Sequence, residues 1–265
     1  MGWKIRGMFL MLLCTLFTTT FIFSEIRTIS SFDEISMQEL SPKTLVMFDI
    51  DDVLIYPKDA LMQNWRQGWK PEGERAWTPE EDTIAWMNAK FQLMDPSGPE
   101  LIDRLNENAI PAIGFTAFAM DQAGIVKSVP DWRSHQLESL GISFKAEKEI
   151  VFPVEEGFVP ASFEKGILYC GDFYKKDKDN KGIILSLYLD WLGQNPDLAI
   201  LIDDGKKNLD GVEKALEARG IPFIGYLYIP KELDPIDESI ATLQYKTLIE
   251  QQIWLSDSQA RQCLD

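Results

Sequence analysis

Short unbroken apolar runs recur along the chain, and the stretches between them carry apolar residues at helical spacing. Leu45-Val-Met-Phe48 is the first run and Ala109-Ile-Pro-Ala-Ile-Gly-Phe-Thr116 the second; Gly166 to Asp172, Leu198 to Ile202 and Ile221 to Ile229 follow. Runs of this length fit strands buried on both faces of a parallel sheet. Helical periodicity covers Ser97 to Asn106, Val129 to Gly141, Lys181 to Gly193, Leu209 to Arg219 and Glu238 to Leu255, with glycine stops after the second and third of these. Ile142 to Pro153 reads as irregular to extended. Alternating βα units of this kind predict an α/β fold, a doubly wound (Rossmann-like) parallel sheet.

Two stretches stand outside that alternation. Residues 1–24 place Lys4 and Arg6 ahead of an apolar run from Met8 to Phe23, the layout of a secretory signal. The run is shorter than the ~20 residues a bilayer span needs. Ser24 is a small residue at which cleavage could occur, but Ile22 suits a cleavage site poorly, so a retained N-terminal anchor also fits. Cys14 follows Leu13, not a small residue, which argues against a lipid-modified N-terminus. Either form predicts an exported, periplasmic or secreted domain that touches a membrane only through this segment. Residues 25–42 read as a lead-in in which Ser30, Ser31 and Asp33 can cap a short helix through Leu40, and 43–265 as the main domain.

The second exception is an insertion at about 56–96, begun by Tyr56-Pro57. It holds Trp65, Trp69, Trp77 and Trp86 beside Lys58, Arg66, Lys70 and Arg75, and Thr78-Pro-Glu-Glu81 opens a helix expected to reach about Leu93. The insertion reads either as a lid whose aromatics and bases contact a substrate or as a unit whose tryptophans form its own core.

Charge narrows the partners. A formal charge of −16 argues against a nucleic-acid backbone or an anionic membrane surface. The single histidine, His135, makes a His-ligated zinc site or a Ser-His-Asp triad a poor fit. His135 and Arg133, on the Val129 to Gly141 helix, read as structural or surface positions. Export permits a disulfide between Cys170 and Cys263, and two unpaired cysteines fit equally.

The acids are not spread evenly. Asp49, Asp51 and Asp52 follow the first strand directly, and Asp203 and Asp204, with Asn208 behind them, follow the strand that ends at Ile202. Ligands of open α/β sheets bind outside the carboxyl ends of the strands. Carboxylates gathered there repel one another, and an oxygen-ligated divalent cation such as Mg²⁺ offsets the repulsion. Thr116, at the end of the second strand, can donate its hydroxyl to a phosphate oxygen. Lys181 in the first turn of its helix opposes the helix dipole by a few tenths of a kcal/mol, which suits a nearby anion. The bland alternative is a pair of solvated acidic loops.

In order, Phe48-Asp-Ile-Asp-Asp-Val-Leu54, Gly114-Phe-Thr116, Lys181-Gly182 and Ile202-Asp-Asp-Gly-Lys-Lys-Asn208 resemble the four motifs of the haloacid dehalogenase-like (HAD) phosphohydrolases, a likeness running from about Thr44 to Tyr228. More narrowly, the spacing from Gln136 to Ile142, Gly166-Ile167, Lys181-Gly182 and Asp203 to Asn208 is similar to that of an uncharacterised group of exported bacterial HAD-like proteins. The resemblance implies a Mg²⁺-dependent phosphatase acting on a small phosphomonoester, with the insertion as a mainly helical cap that sets substrate choice. Asp49 would be the nucleophile and Asp51 the acid and base, aided by Thr116 and Lys181. Mg²⁺ would be held by the Asp49 side chain, the Asp51 backbone carbonyl and Asp204, with Asp203 and Asn208 assisting. Phe118 stands where exported phosphatases of the superfamily often carry an arginine, so that contact would be missing or supplied by the insertion. The alternative is a HAD-fold binding or host-interaction protein with little or no catalysis.

Overall fold

The computed structural model describes residues 23–118, 125–154, 158–171, 180–230 and 235–265, and within these the side chains of 39, 64–67 and 180 are not described. The signal-like run before Phe23, the side chains of Trp65 and Arg66 and the charged residues 174–179 therefore lie outside the described residues.

A central sheet holds the strands in the order β1-β10-β9-β2-β5-β8-β7-β6. These are β1 (Ser24–Ile29), β2 (Thr44–Phe48), β5 (Ala112–Thr116), β6 (Ile150–Val151), β7 (Ser162–Glu164), β8 (Ile167–Tyr169), β9 (Leu198–Asp203) and β10 (Phe223–Tyr228). From β1 through β8 in that order the pairing is parallel; β7 and β6 extend the edge antiparallel. The α/β class and the parallel centre agree with the apolar runs. The antiparallel edge comes from strands too short to leave a periodic signal: β6 falls in the stretch expected to be irregular to extended, and β7 in residues to which the sequence assigned no element.

The lead-in also differs from its expectation. Ser24–Ile29 pairs in register with Phe223–Tyr228 and closes the sheet as an edge strand. Its Glu25, Arg27 and Thr28 interrupt the apolar pattern, as an edge open to water allows. The short helix expected before Leu40 is present as two 3-10 turns, Phe32–Glu34 and Met37–Glu39, capped by Ser31 and Ser36.

Successive residues of the buried strands feed opposite faces, as the period of two requires. Val46, Phe48, Ile200, Ile202 and Tyr226 pack with helices α3 (Gly98–Glu107) and α4 (Val129–Glu138). Leu45, Met47, Phe115, Ala199 and Leu201 pack with α5 (Asn180–Leu192) and α6 (Lys206–Glu217) on the other face. α5 and α6 cross closely at Gly182, where a Cβ would fall on the backbone of Gly211. The residue after Lys181 is therefore glycine because a neighbouring helix leaves no room for a side chain.

The insertion builds a third core with the end of the chain. β3 (Ile55–Pro57) pairs antiparallel with β4 (Phe91–Leu93), and α1 (Ala60–Gln67) and α2 (Pro79–Asn88) lie between them. The helix expected to reach Leu93 thus stops at Asn88, because Phe91–Leu93 pairs with the first strand of the insertion. α1 and α2 pack on α7 (Glu238–Gln251), and α7 on α8 (Asp257–Leu264). The closing helix breaks at Gln252, which has a left-handed φ of 56°. Asp59, buried in this unit, accepts from Lys90 N at 2.9 Å, Trp254 Nε1 at 3.3 Å and Asp257 N at 3.3 Å, tying the insertion to the C-terminal helices.

Candidate active site

β2 lies between β9 and β5, and the chain builds outward from it first on one side and then on the other. The C-terminal ends of β2 and β9 therefore form a topological switch point, where open α/β sheets bind ligands. Asp49 N donates to Ile202 O at 2.9 Å, so the two strands stay paired up to the first acid. The chain then turns back: Ile50 O accepts from Leu54 N and Ile55 N at 3.0 and 3.1 Å. Asp52 closes the turn with φ 71°, a left-handed conformation that Asp tolerates better than most residues. Asp49 and Asp51 are thereby presented from one strand end.

Lys181 joins the two acidic strand ends. Its ammonium, buried in the first turn of α5, lies 3.0 Å from Asp49 Oδ1 and 2.7 Å from Asp203 Oδ2, with the Phe115 ring centroid at 5.3 Å. The anion that its place in the helix suggested is thus a pair of carboxylates. Asp203 is fully buried, and its Oδ1 accepts from Gly205 N at 2.8 Å and Asn208 Nδ2 at 2.9 Å. Both Asp203 oxygens are taken, which makes this residue and Asn208 the brace that fixes Lys181 and the β9–α6 loop. Asp49 Oδ1 carries both Lys181 and Ile50 N, at 2.8 Å for the latter, and these contacts fall on Oδ1 and not on Oδ2.

Electrostatics agree with that division. Burial raises the Asp49 carboxyl well above its usual range; Lys181 lowers it, and Asp203 and Asp204 raise it again. Burial works against the Lys181 charge, but Asp203 and Asp49 outweigh it and hold the ammonium above its usual value. Asp49, Asp203 and Asp204 each offer an oxygen within 4.8 Å of the others, and Asp204 is exposed. An all-oxygen donor set beside a carboxyl short of positive charge fits a hard divalent cation such as Mg²⁺.

Thr116 ends β5 two residues past the partner of Phe48, and its hydroxyl accepts from Phe118 N at 3.1 Å while keeping its own proton to donate. Tyr169, its register partner on β8, buries a hydroxyl with no hydrogen-bond partner among the described residues. Cys170 is free and buried, with burial pushing its thiol up to about 12, and Cys263 is free and exposed. The permitted disulfide is not formed.

Arg133, read from the sequence as a structural or surface position, makes contacts that the sequence did not foretell. It is fully buried on α4, and its guanidinium meets Asp51 with both prongs, Nη1 to Oδ1 at 3.0 Å and Nη2 to Oδ2 at 3.1 Å. The tryptophans divide accordingly: Trp69 and Trp77 pack into the insertion's own core, whereas Trp86 also stacks on Phe91 and reaches Arg133. Arg75, one of the bases that the lid reading would turn to a substrate, is paired with Glu81 at 2.6 and 2.8 Å. An exposed groove of about 590 Å³ lies between the insertion and α4, with Lys58, Lys90, Trp86 and Trp132 on its walls.

Residues 27–261 match the family described as Protein of unknown function (DUF2608). The chain belongs to that family. The match runs from within β1 into α8 and so contains every candidate residue of the site. An uncharacterized protein, RP296, of Rickettsia prowazekii (strain Madrid E) is 24% identical over 99% of each chain. A protein of Chlamydia muridarum (strain MoPn / Nigg) named "Putative outer membrane protein" is 27% identical over 83% of this chain and 84% of its own. No solved structure matches the chain. Among the described residues of this DUF2608 chain, no helix is long and apolar enough to cross a membrane.

Proposed function

We propose that the chain is an exported HAD-type phosphatase that hydrolyses a small phosphomonoester through an aspartyl-phosphate on Asp49. The observation that carries this reading is Lys181, held at 3.0 Å from Asp49 and 2.7 Å from Asp203 across the switch point, with Asp51 on the same turn as Asp49. In the first half-reaction Asp49 Oδ2 attacks phosphorus, the bond to the leaving oxygen breaks, and Asp51 gives that oxygen a proton. In the second, Asp51 takes a proton from water, the water oxygen bonds to phosphorus, and the bond to Asp49 breaks to release phosphate. Lys181 and the Thr116 hydroxyl offset charge on the phosphoryl oxygens. Mg²⁺, held by Asp49, Asp204 and the Asp51 carbonyl, would supply further positive charge beside the phosphoryl group. Export is supported by the basic and apolar order of the first residues and by the printed name of the Chlamydia relative.

One observation favours a second reading, a binding module without turnover: both Asp51 oxygens are occupied by Arg133. Hydrolysis of an aryl phosphate, with Mg²⁺ and with chelator, beside Asp49→Asn, separates the two. Metal-dependent turnover lost in the variant supports the phosphatase; no turnover on that compound or on a panel of natural phosphomonoesters supports the module.

A further inference from the structure

Arg133 heads the large side chains that the fold buries completely, and an unmatched guanidinium there would be strongly disfavoured. The chain surrounds it on purpose-built sides. Asp51 takes two prongs, Gln136 Oε1 accepts from Nη1 at 2.6 Å, and three ring centroids surround Cζ: Trp132 at 4.7 Å, Phe118 at 5.3 Å and Trp86 at 5.8 Å. These rings come from α4, from the segment after β5 and from α2 of the insertion. Asp51 itself keeps 28% of its side chain exposed, so the guanidinium leaves part of the carboxylate open to solvent.

We infer that Arg133 is the positioning residue for Asp51, and that Trp86 makes the insertion part of the device. The inference rests on the phosphatase reading. A carboxylate on a turn is free to rotate; two parallel contacts to a planar guanidinium hold its plane, while each oxygen retains a lone pair on which the proton given to the leaving group, or taken from water, can sit. The insertion then does more than cover the site, because a displacement of α2 moves a ring that supports the group holding Asp51. Lysine, a single point charge, cannot hold both oxygens in one plane.

The test is steady-state hydrolysis of an aryl phosphate by the full chain with Mg²⁺, comparing wild type with Arg133→Lys, Arg133→Ala, Asp51→Asn, Trp86→Leu and the Asp51→Asn/Arg133→Ala pair. Misplacing a reacting group costs on the order of 10²-fold. Both Arg133 variants are expected to lose roughly that in kcat with KM within about threefold, and the pair to fall no further than Asp51→Asn alone. Millimolar guanidinium should restore part of the Arg133→Ala rate and none of the Asp51→Asn rate; Trp86→Leu should lower kcat about fivefold to tenfold. Arg133→Lys keeps the stem and charge and carries the test if Arg133→Ala does not fold. Wild-type kcat in Arg133→Lys, or losses that multiply with Asp51→Asn without guanidinium rescue, would make Arg133 a packing residue. Those results leave an active wild type; a wild type without turnover on any phosphomonoester overturns the phosphatase reading and this inference together.

Discussion

The two halves of the site are held by different physics. Asp49, Lys181 and Asp203 form a buried ionic cluster anchored by strand ends and a helix start, whereas Asp51 and Arg133 meet inside an aromatic cage assembled from three separate segments. The first half depends on backbone: the Asp49 N–H bonds to β9, Asp203 is gripped by the loop that follows it, and Gly182 lets α5 come close enough to bring in the ammonium. The second depends on side-chain packing, including a ring supplied by the insertion. Under the proposed phosphatase reading, a site divided in this way would keep Asp49 rigid while leaving Asp51 open to influence from the insertion.

The sharpest way to break the comparison is Asp49→Asn, which should lower kcat by ~10³-fold or more with the fold intact by circular dichroism. Lys181→Met comes next, since it leaves Asp49 and Asp203 buried without their cation. Breaking a buried pair costs about 3–5 kcal/mol, so urea unfolding should show a loss of that size along with the loss of turnover. In wild type, Mg²⁺ at about 100 times its Kd should add ~2.7 kcal/mol of stability, and Asp204→Ala should remove most of the accompanying rise in Tm while leaving the metal-free Tm close to wild type.

A smaller effect belongs to the insertion. The side-chain bonds from Arg75 bring the Glu81 carboxyl down to about 2 from 4.5. As pH falls the unfolded chain takes up that proton first. The contribution is therefore complete above about 4.5, declines between there and about 2, and is absent in Glu81→Gln. With Arg75 half exposed, solvent screens the pair and the contribution is small, readable as a converging pair of acid-unfolding curves. Smallest is a labelling contrast: a thiol reagent should modify Cys263 in the native protein and Cys170 only after unfolding, because Cys170 is buried with its thiol pushed up to about 12.

The ionic half of the site was legible in the sequence because strand ends are short-range features. Apolar runs ending in Asp49 and in Asp203-Asp204 already point the acids at one edge of a parallel sheet. Arg133 was not legible: it lies on a helix among Trp132, Ser134 and His135, and nothing in that local pattern says whether an arginine faces water or Asp51. Its one local sign is Gln136 three positions on, a spacing that puts the two side chains on one face. Phe118 was read as the absence of an arginine, whereas in the fold it is a wall for one. The closing helix was counted among the alternating βα units and in the fold completes the core of the insertion.

By itself the sequence determined the α/β alternation, the buried parallel strands and the acids and lysine at their ends, because burial on both faces and strand-end placement are written in neighbouring residues. Tertiary structure alone decided that residues 24–29 close the sheet, that the insertion and the C-terminal helices share one core, and that Arg133 holds Asp51. Each of these joins segments far apart in the chain, and such a pairing is settled by which surfaces exclude water together, a property of the folded whole.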